Sequence, residues 1–230
     1  MNVRDFNIEI PRGDKLEIIF SHQHTLLERY HTIEVTNMGR PLPDPNNIDL
    51  DNTQDQLRLK EFAWRITEEL AEATECLIED MEPEGDIQVH FLEELVDALH
   101  FSVEFDLMSK LLPREFLSHV PAYQHCQDTL DYLYKSQLSH FNGDIFIPAR
   151  FRMYTWLCVE QLGKAMNTLK NKPWKSTHMN TDRAEYRKLV VDFNLHLFRL
   201  MWMAGFTPLS LTQMYLNKNA VNLFRIRSNY

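Results

Sequence analysis

The chain has 230 residues, 44% of them hydrophobic, enough for one substantial core or two small domains. A formal net charge of −9 argues against a general nucleic-acid or anionic-membrane surface. There are only 6 glycines, and no Asn-Gly or Asp-Gly hairpin signal separates two alternating runs, so the chain reads as all-α.

In chain order, residues 14–33 (DKLEIIFSHQHTLLERYHTI) have apolar positions near helical spacing and read as a first helix. Residues 37–52, with three prolines and several Asn and Asp, read as a loop. A second helix is expected over about 54–79, and MEPEGD breaks it. A third runs over about 87–112, until Pro113. A fourth follows Pro121 to about 139, and HFNGDIFIPAR ends it. Two long helices are expected over about 149–171 and 181–204, with NKPWKSTHMNT between them. The end reads as a short helix bending near Asn217. No linker is long or polar enough to mark a boundary, so residues 1–230 read as one all-α domain. Helix-break-helix over 54–112, with ELVDALHF, is echoed by helix-break-helix over 149–204, with LVVDFNLHLF. That echo reflects either a duplication or two similar amphipathic helices.

Cys76, Cys126 and Cys158 have no CxxC spacing and fall in periodic segments, so they read as core residues of a reduced compartment. No run of about 18 apolar residues occurs, and the N-terminus lacks a signal-like apolar stretch. The expectation is a cytoplasmic protein without a membrane or nucleic-acid partner.

Charge is unevenly spread. Between Asp51 and Asp106 there are 17 Asp and Glu against three Lys and Arg, whereas Phe193 to Tyr230 has no acid and four bases. An acidic centre can hold cations and a basic tail an anion. On the second helix Ala63, Ile66, Leu70, Ala73 and Leu77 form the core face, while Glu68, Glu75 and Glu79 share a solvated stripe. Glu69 lies at the border of the core and forms an ExxE pair with Glu72. On the third helix Glu94 sits amid Phe91, Ala98, Phe101 and Phe105, with Asp97 one turn on. A buried carboxylate needs a partner or a proton. That partner is either a basic or tyrosyl side chain from another helix, or a cation shared with the ExxE pair. Packed antiparallel, the two helices bring four carboxylates together, an oxygen-only set suited to Mg²⁺ or Mn²⁺. A di-iron bundle is the competing metal reading, but ERYH supplies only one clean ExxH.

EELAE followed by EELVDALHF resembles the all-α nucleoside triphosphate pyrophosphatase superfamily, which includes the MazG proteins and the dimeric dUTPases. YLNKNAVNLFRIRSNY resembles the terminal motif of dimeric dUTPases and of the related phage dCTPase-dUTPases, and QHTLL is similar to their early Gln motif. The resemblance implies a helical bundle with an active half (about 14–112) and a degenerate half carrying a phosphate-binding tail (about 149–230). It implies that Glu69, Glu72, Glu94 and Asp97 bind Mg²⁺, possible Mn²⁺ included, and that Glu69 or Glu72 orients the attacking water. Lys218, Asn219, Asn222, Arg225 and Tyr230 would hold the phosphates, with Gln23 near the base. Glu93 and Glu104 then read as the polar side of the third helix. The implied activity is conversion of a deoxynucleoside triphosphate, foremost dUTP, to the monophosphate and pyrophosphate by a homodimer. A dCTP or modified-pyrimidine substrate is the alternative, as is a non-catalytic helical dimerisation or binding protein. CLIEDMEPEG stands where the family often has a Trp-Lys-x-Trp stretch, Leu27 replaces an Asn, and Ile226 and Asn229 replace a Gln and a Gly. These departures touch base, sugar and phosphate contacts and leave the identity of the base open.

Overall fold

The computed structural model describes residues 7–77, 85–117, 127–138 and 148–228. Its elements are α1 (Lys15–Met38), α2 (Thr53–Glu75), α3 (Gly85–Met108), a 3-10 helix (Pro113–Leu117), α4 (Thr129–Leu138), α5 (Pro148–Thr168), α6 (Arg183–Met203) and α7 (Pro208–Arg227), with no strand among the described residues. The protein is all-α.

Local chemistry accounts for the boundaries. Asp14 caps α1 by accepting from the Leu16 and Glu17 amides, and its other oxygen accepts from the Thr129 amide and hydroxyl, which fastens α1 to α4. The first helix runs past the expected Ile33, as far as Gly39, which adopts φ 60 and turns the chain out in the left-handed conformation. Asn52 caps α2 in the same way as Asp14 caps α1. Between α6 and α7 the chain turns by 101°. There Pro208 opens α7 and Thr207 and Ser210 form a reciprocal capping box. The terminal element is a single 20-residue helix that continues through Asn217, longer and straighter than the sequence predicts. Asn217 instead bonds sideways: its Oδ1 accepts from the Ile8 amide and from Gln213 Nε2.

Two helix pairs, α2 with α3 and α5 with α6, have the most extensive packing, and α1 and α7 pack on each other and on α3. The core face expected for α2 is buried throughout, with Ile66, Leu70 and Ala73 fully so, and Glu68 and Glu75 lie exposed on the opposite side. Polar links join the pairs. Asn194 on α6 accepts from the Ser102 hydroxyl and donates to Asp106 on α3, both contacts 2.8 Å. Asp51 and Leu50 before α2 hold Thr181 before α6 through its amide and hydroxyl. Cys76 and Cys158 are free and buried; Cys126 and Glu79 lie outside the described residues. Among the described residues, no single helix is long and apolar enough to cross a membrane.

Candidate active site

Helical spacing puts Glu94 and Asp97 on the side of α3 that meets α2, and the apolar stripe of α2 turns Glu69 toward them. One carboxylate oxygen from each of Glu69, Glu94 and Asp97 lies within 4.8 Å of the other two. Like charges this close oppose ionisation unless a cation or a proton intervenes. Burial, the hydrogen bond to Glu94 and the charges of Asp97, Glu94 and Glu72 push Glu69 up to about 8. Burial raises Asp97 to about 6 against the pull of Lys218, whose Nζ lies 2.5 Å from Asp97 Oδ2. Glu94 is 8% exposed, and its Oε1 meets His90 Nδ1 at 2.8 Å. Glu72 is exposed and stands outside the trio, close enough for its charge to act on Glu69. Three carboxylates thus converge where four are expected. The all-oxygen set suits a hard divalent cation.

Two of the trio, Glu69 and Asp97, border a cavity of about 420 Å³ between α1, α2, α3 and α7, within the usual size of a small-molecule site. Glu69, Asp97, Lys218, Asn222 and Arg225 line one part of it. Leu26, Leu27, Phe62 and Phe101 line another, over a polar floor of Gln23 and Glu104. Arg58 and Arg65 also reach the wall, stacked at 4.6 and 4.8 Å from the Phe62 ring centroid and paired with Glu34 and Glu61. These two guanidiniums are therefore already neutralised.

The floor is a buried network. Gln23 Oε1 accepts from the Tyr215 hydroxyl at 2.5 Å and meets His100 Nδ1 at 2.7 Å. Burial, aided by the Lys218 charge, pushes His100 down to about 3, so the ring is neutral and its Nδ1–H donates. The His100 and Tyr215 rings stack at 4.0 Å. Gln23 Nε2 donates to Glu104 Oε1 at 2.7 Å. Glu104 is not on a polar side of α3, as its sequence neighbours imply; it is 4% exposed, and burial raises it to about 7 against the pull of the Gln23 hydrogen bond. Its position seven residues beyond Asp97 puts it on the same face two helical turns on, the one signal of it in the sequence, and the approach of Gln23 from α1 is what buries it.

Of the expected phosphate ligands, Lys218, Asn222 and Arg225 line the cavity, whereas Asn219 is buried with its amide nitrogen directed to the His22 carbonyl at 3.4 Å. Tyr230 lies outside the described residues. In the second helix pair, Glu160 is paired with Lys164 at 2.6 Å, Gly163 follows at the next turn and Asp192 is half-buried on α6.

A protein-family model described as dUTPase matches residues 80–230, well over half of the chain. The chain belongs to the dUTPase family. As a member of the dUTPase family it is an enzyme, a nucleoside triphosphate pyrophosphatase, and its helical architecture agrees with the all-α dUTPases. The dUTPase match includes Glu94, Asp97, Glu104 and the Lys218–Arg225 segment, and begins beyond Glu69 and Glu72. Neither the curated proteins nor the solved structures gave a match.

Proposed function

We propose that the chain hydrolyses dUTP to dUMP and pyrophosphate in a Mg²⁺-dependent reaction. One observation carries this reading: a carboxylate trio at the edge of a nucleotide-sized cavity whose same end presents Lys218, Asn222 and Arg225. Acids alone fit a solvated face and bases alone fit any anion, but the two sets together fit a triphosphate with its cation. Glu69, Glu94 and Asp97 would hold Mg²⁺, with Mn²⁺ as a substitute and Glu72 at the rim. When bound, the cation neutralises the polyphosphate and lowers the pKa of a water.

The remaining steps fall to the chain's own groups. Lys218, now on Asp97, and Arg225 bind and orient the phosphate oxygens. Glu69, at the border of the trio, is placed to take the proton of the attacking water. In-line attack then breaks the α–β phosphoanhydride bond, and pyrophosphate leaves. Leu26, Leu27, Phe62 and Phe101 exclude water from the base. In this reading residues 1–230 are one domain, α2–α3 its active pair and α5–α6 a degenerate copy. The enzyme is a cytoplasmic homodimer, in keeping with its buried free thiols. A dCTP or modified-pyrimidine substrate is the second reading, supported by Leu27 at the cavity, where the family pattern often has an Asn.

The test is to incubate the purified protein with Mg²⁺ and each dNTP in turn. The expected result is pyrophosphate and monophosphate in equal amounts, fastest from dUTP. No pyrophosphate from any nucleotide would refute the proposal.

A further inference from the structure

The cavity has two chemically distinct ends: at one, Arg225 has no ion pair among the described residues and Lys218 is paired only with a carboxylate of the trio. At the other, Phe62, Phe101 and Leu26 surround Gln23 and Glu104, and Arg58 and Arg65 are paired with Glu34 and Glu61. The base therefore belongs over Gln23 and Glu104.

Gln23 is the group expected to read a base, yet alone it cannot tell uracil from cytosine. A freely rotating amide offers either a donor or an acceptor. Here it does not rotate. Oε1 accepts from both Tyr215 and His100, which uses its two lone pairs, and one Nε2 hydrogen goes to Glu104 Oε1. Gln23 is left with one N–H for the cavity. The neighbouring group is Glu104, whose Oε2 accepts no hydrogen bond among the described residues and which lines the cavity. That oxygen is open to the cavity, where a ligand N–H can replace water as its donor.

We propose that Glu104 is the specificity-determining residue of this site, its free carboxylate oxygen accepting the ring N3–H of uracil while the remaining Gln23 N–H donates to an adjacent carbonyl. Cytosine turns a lone pair toward Glu104 at N3, and two acceptors then face each other across a dry contact. The inference rests on the dUTP reading above. Its test separates the two.

Glu104→Gln is nearly isosteric, and its chemistry follows from the locked network. Because Gln23 Nε2 donates to whatever stands at 104, the new amide must turn its oxygen to Gln23 and its NH₂ to the base. A donor then opposes uracil N3–H and suits cytosine N3. The expected result is a fall of at least about tenfold in the dUTP-to-dCTP ratio of kcat/KM, read chiefly in KM. A second arm needs no variant. Groups around Glu104 are Gln23, Glu34 and Tyr30 from α1, Arg58 and Arg65 from α2, His100 from its own helix and Tyr215 from α7. Burial outweighs the two arginines and holds the carboxyl near 7. The dUTP-to-dCTP ratio of the unaltered enzyme should therefore rise between pH 6 and 8, as the proton that would oppose N3–H is lost. Titration of the carboxylate trio affects both substrates alike and cancels in the ratio. In Glu104→Gln the ratio should be flat with pH.

A pH-independent ratio in the unaltered enzyme, a ratio unchanged by Glu104→Gln, or a variant that loses dCTP rather than dUTP hydrolysis would each overturn the assignment of Glu104, with the hydrolase reading intact. Absence of hydrolysis of every nucleotide by the unaltered enzyme would overturn both.

Discussion

Lys218 Nζ rests 2.5 Å from Asp97 Oδ2, so the terminal helix supplies the counter-ion of the carboxylate centre on α3. Both groups are largely shielded from water, and a pair of this kind is costly to break from one side. Lys218→Met should destabilise the cation-free protein by about 1–3 kcal/mol in urea denaturation, and Asp97→Asn in the same chain should restore most of the loss. Hydrolysis of dUTP by Lys218→Met should fall by about a hundredfold or more. Full stability of the single variant would mean that the pair is solvated and contributes little.

The pH dependence of stability has a sign fixed by the buried acids. Glu69, Glu104 and Asp97 are raised to about 8, 7 and 6, and burial raises Asp106 as well. An acid with a raised folded pKa favours the fold below its unfolded pKa and loses that contribution as pH rises through the folded value. Asp44, Asp51 and Glu61 shift the other way, and their contribution is lost only on further acidification. Burial lowers His100 to about 3, so that ring adds stability as pH rises toward 6.5; in EDTA the Tm should therefore decline from about pH 6.5 to pH 8. Added Mg²⁺ or Mn²⁺ should lessen or reverse that decline, because binding needs the deprotonated carboxylates. A cation-free Tm that rises across the same window would contradict the account.

Tyr215→Phe removes the hydroxyl that donates to Gln23 while keeping the ring stacked on His100. The cost should be about 1 kcal/mol in thermal denaturation. One lone pair of Gln23 is freed, the amide gains freedom to turn, and dCTP should be hydrolysed relatively better than by the unaltered enzyme. Steady-state rates with both nucleotides check this.

The α3–α6 link predicts a contrast between two variants. Asp106 is fully enclosed, burial raises its pKa well above the ordinary carboxylate value, and one of its oxygens has no partner among the described residues. Asp106→Asn keeps the shape and an oxygen to accept from Asn194, and should change stability by less than about 1 kcal/mol. Asn194→Leu leaves Ser102 and Asp106 both without their shared partner and should cost about 3 kcal/mol. Denaturant midpoints distinguish the two, and equal costs would contradict this account of the link.

The fold and part of the site were readable from periodicity. The face of α2 that holds Ile66 and Leu70, and the apolar surround of Glu94, follow from spacing three and four apart, which survives folding unchanged. What escaped the sequence depends on tertiary approach. Glu104 shares the heptad position of Asp97, but only α1, by bringing Gln23 against it, shows that it is buried rather than solvated. Asn219 belongs to the same terminal motif as Lys218 and Asn222, yet the turn of α7 sends it to the α1 backbone. The 3-10 helix over Pro113–Leu117 and the length of α7 depend on caps and packing that hydropathy does not encode.

The central claim is that the carboxylate trio holds the cation that hydrolysis requires, and Glu94 is its most enclosed member. Glu94→Gln keeps the shape and removes the charge, so in EDTA the variant should be as stable as the unaltered protein or more so, having lost a like-charge contact. The deciding measurement is its rate of pyrophosphate release from dUTP in saturating Mg²⁺. A fall of about a thousandfold or more is predicted; a rate within about tenfold of the unaltered enzyme would contradict the account.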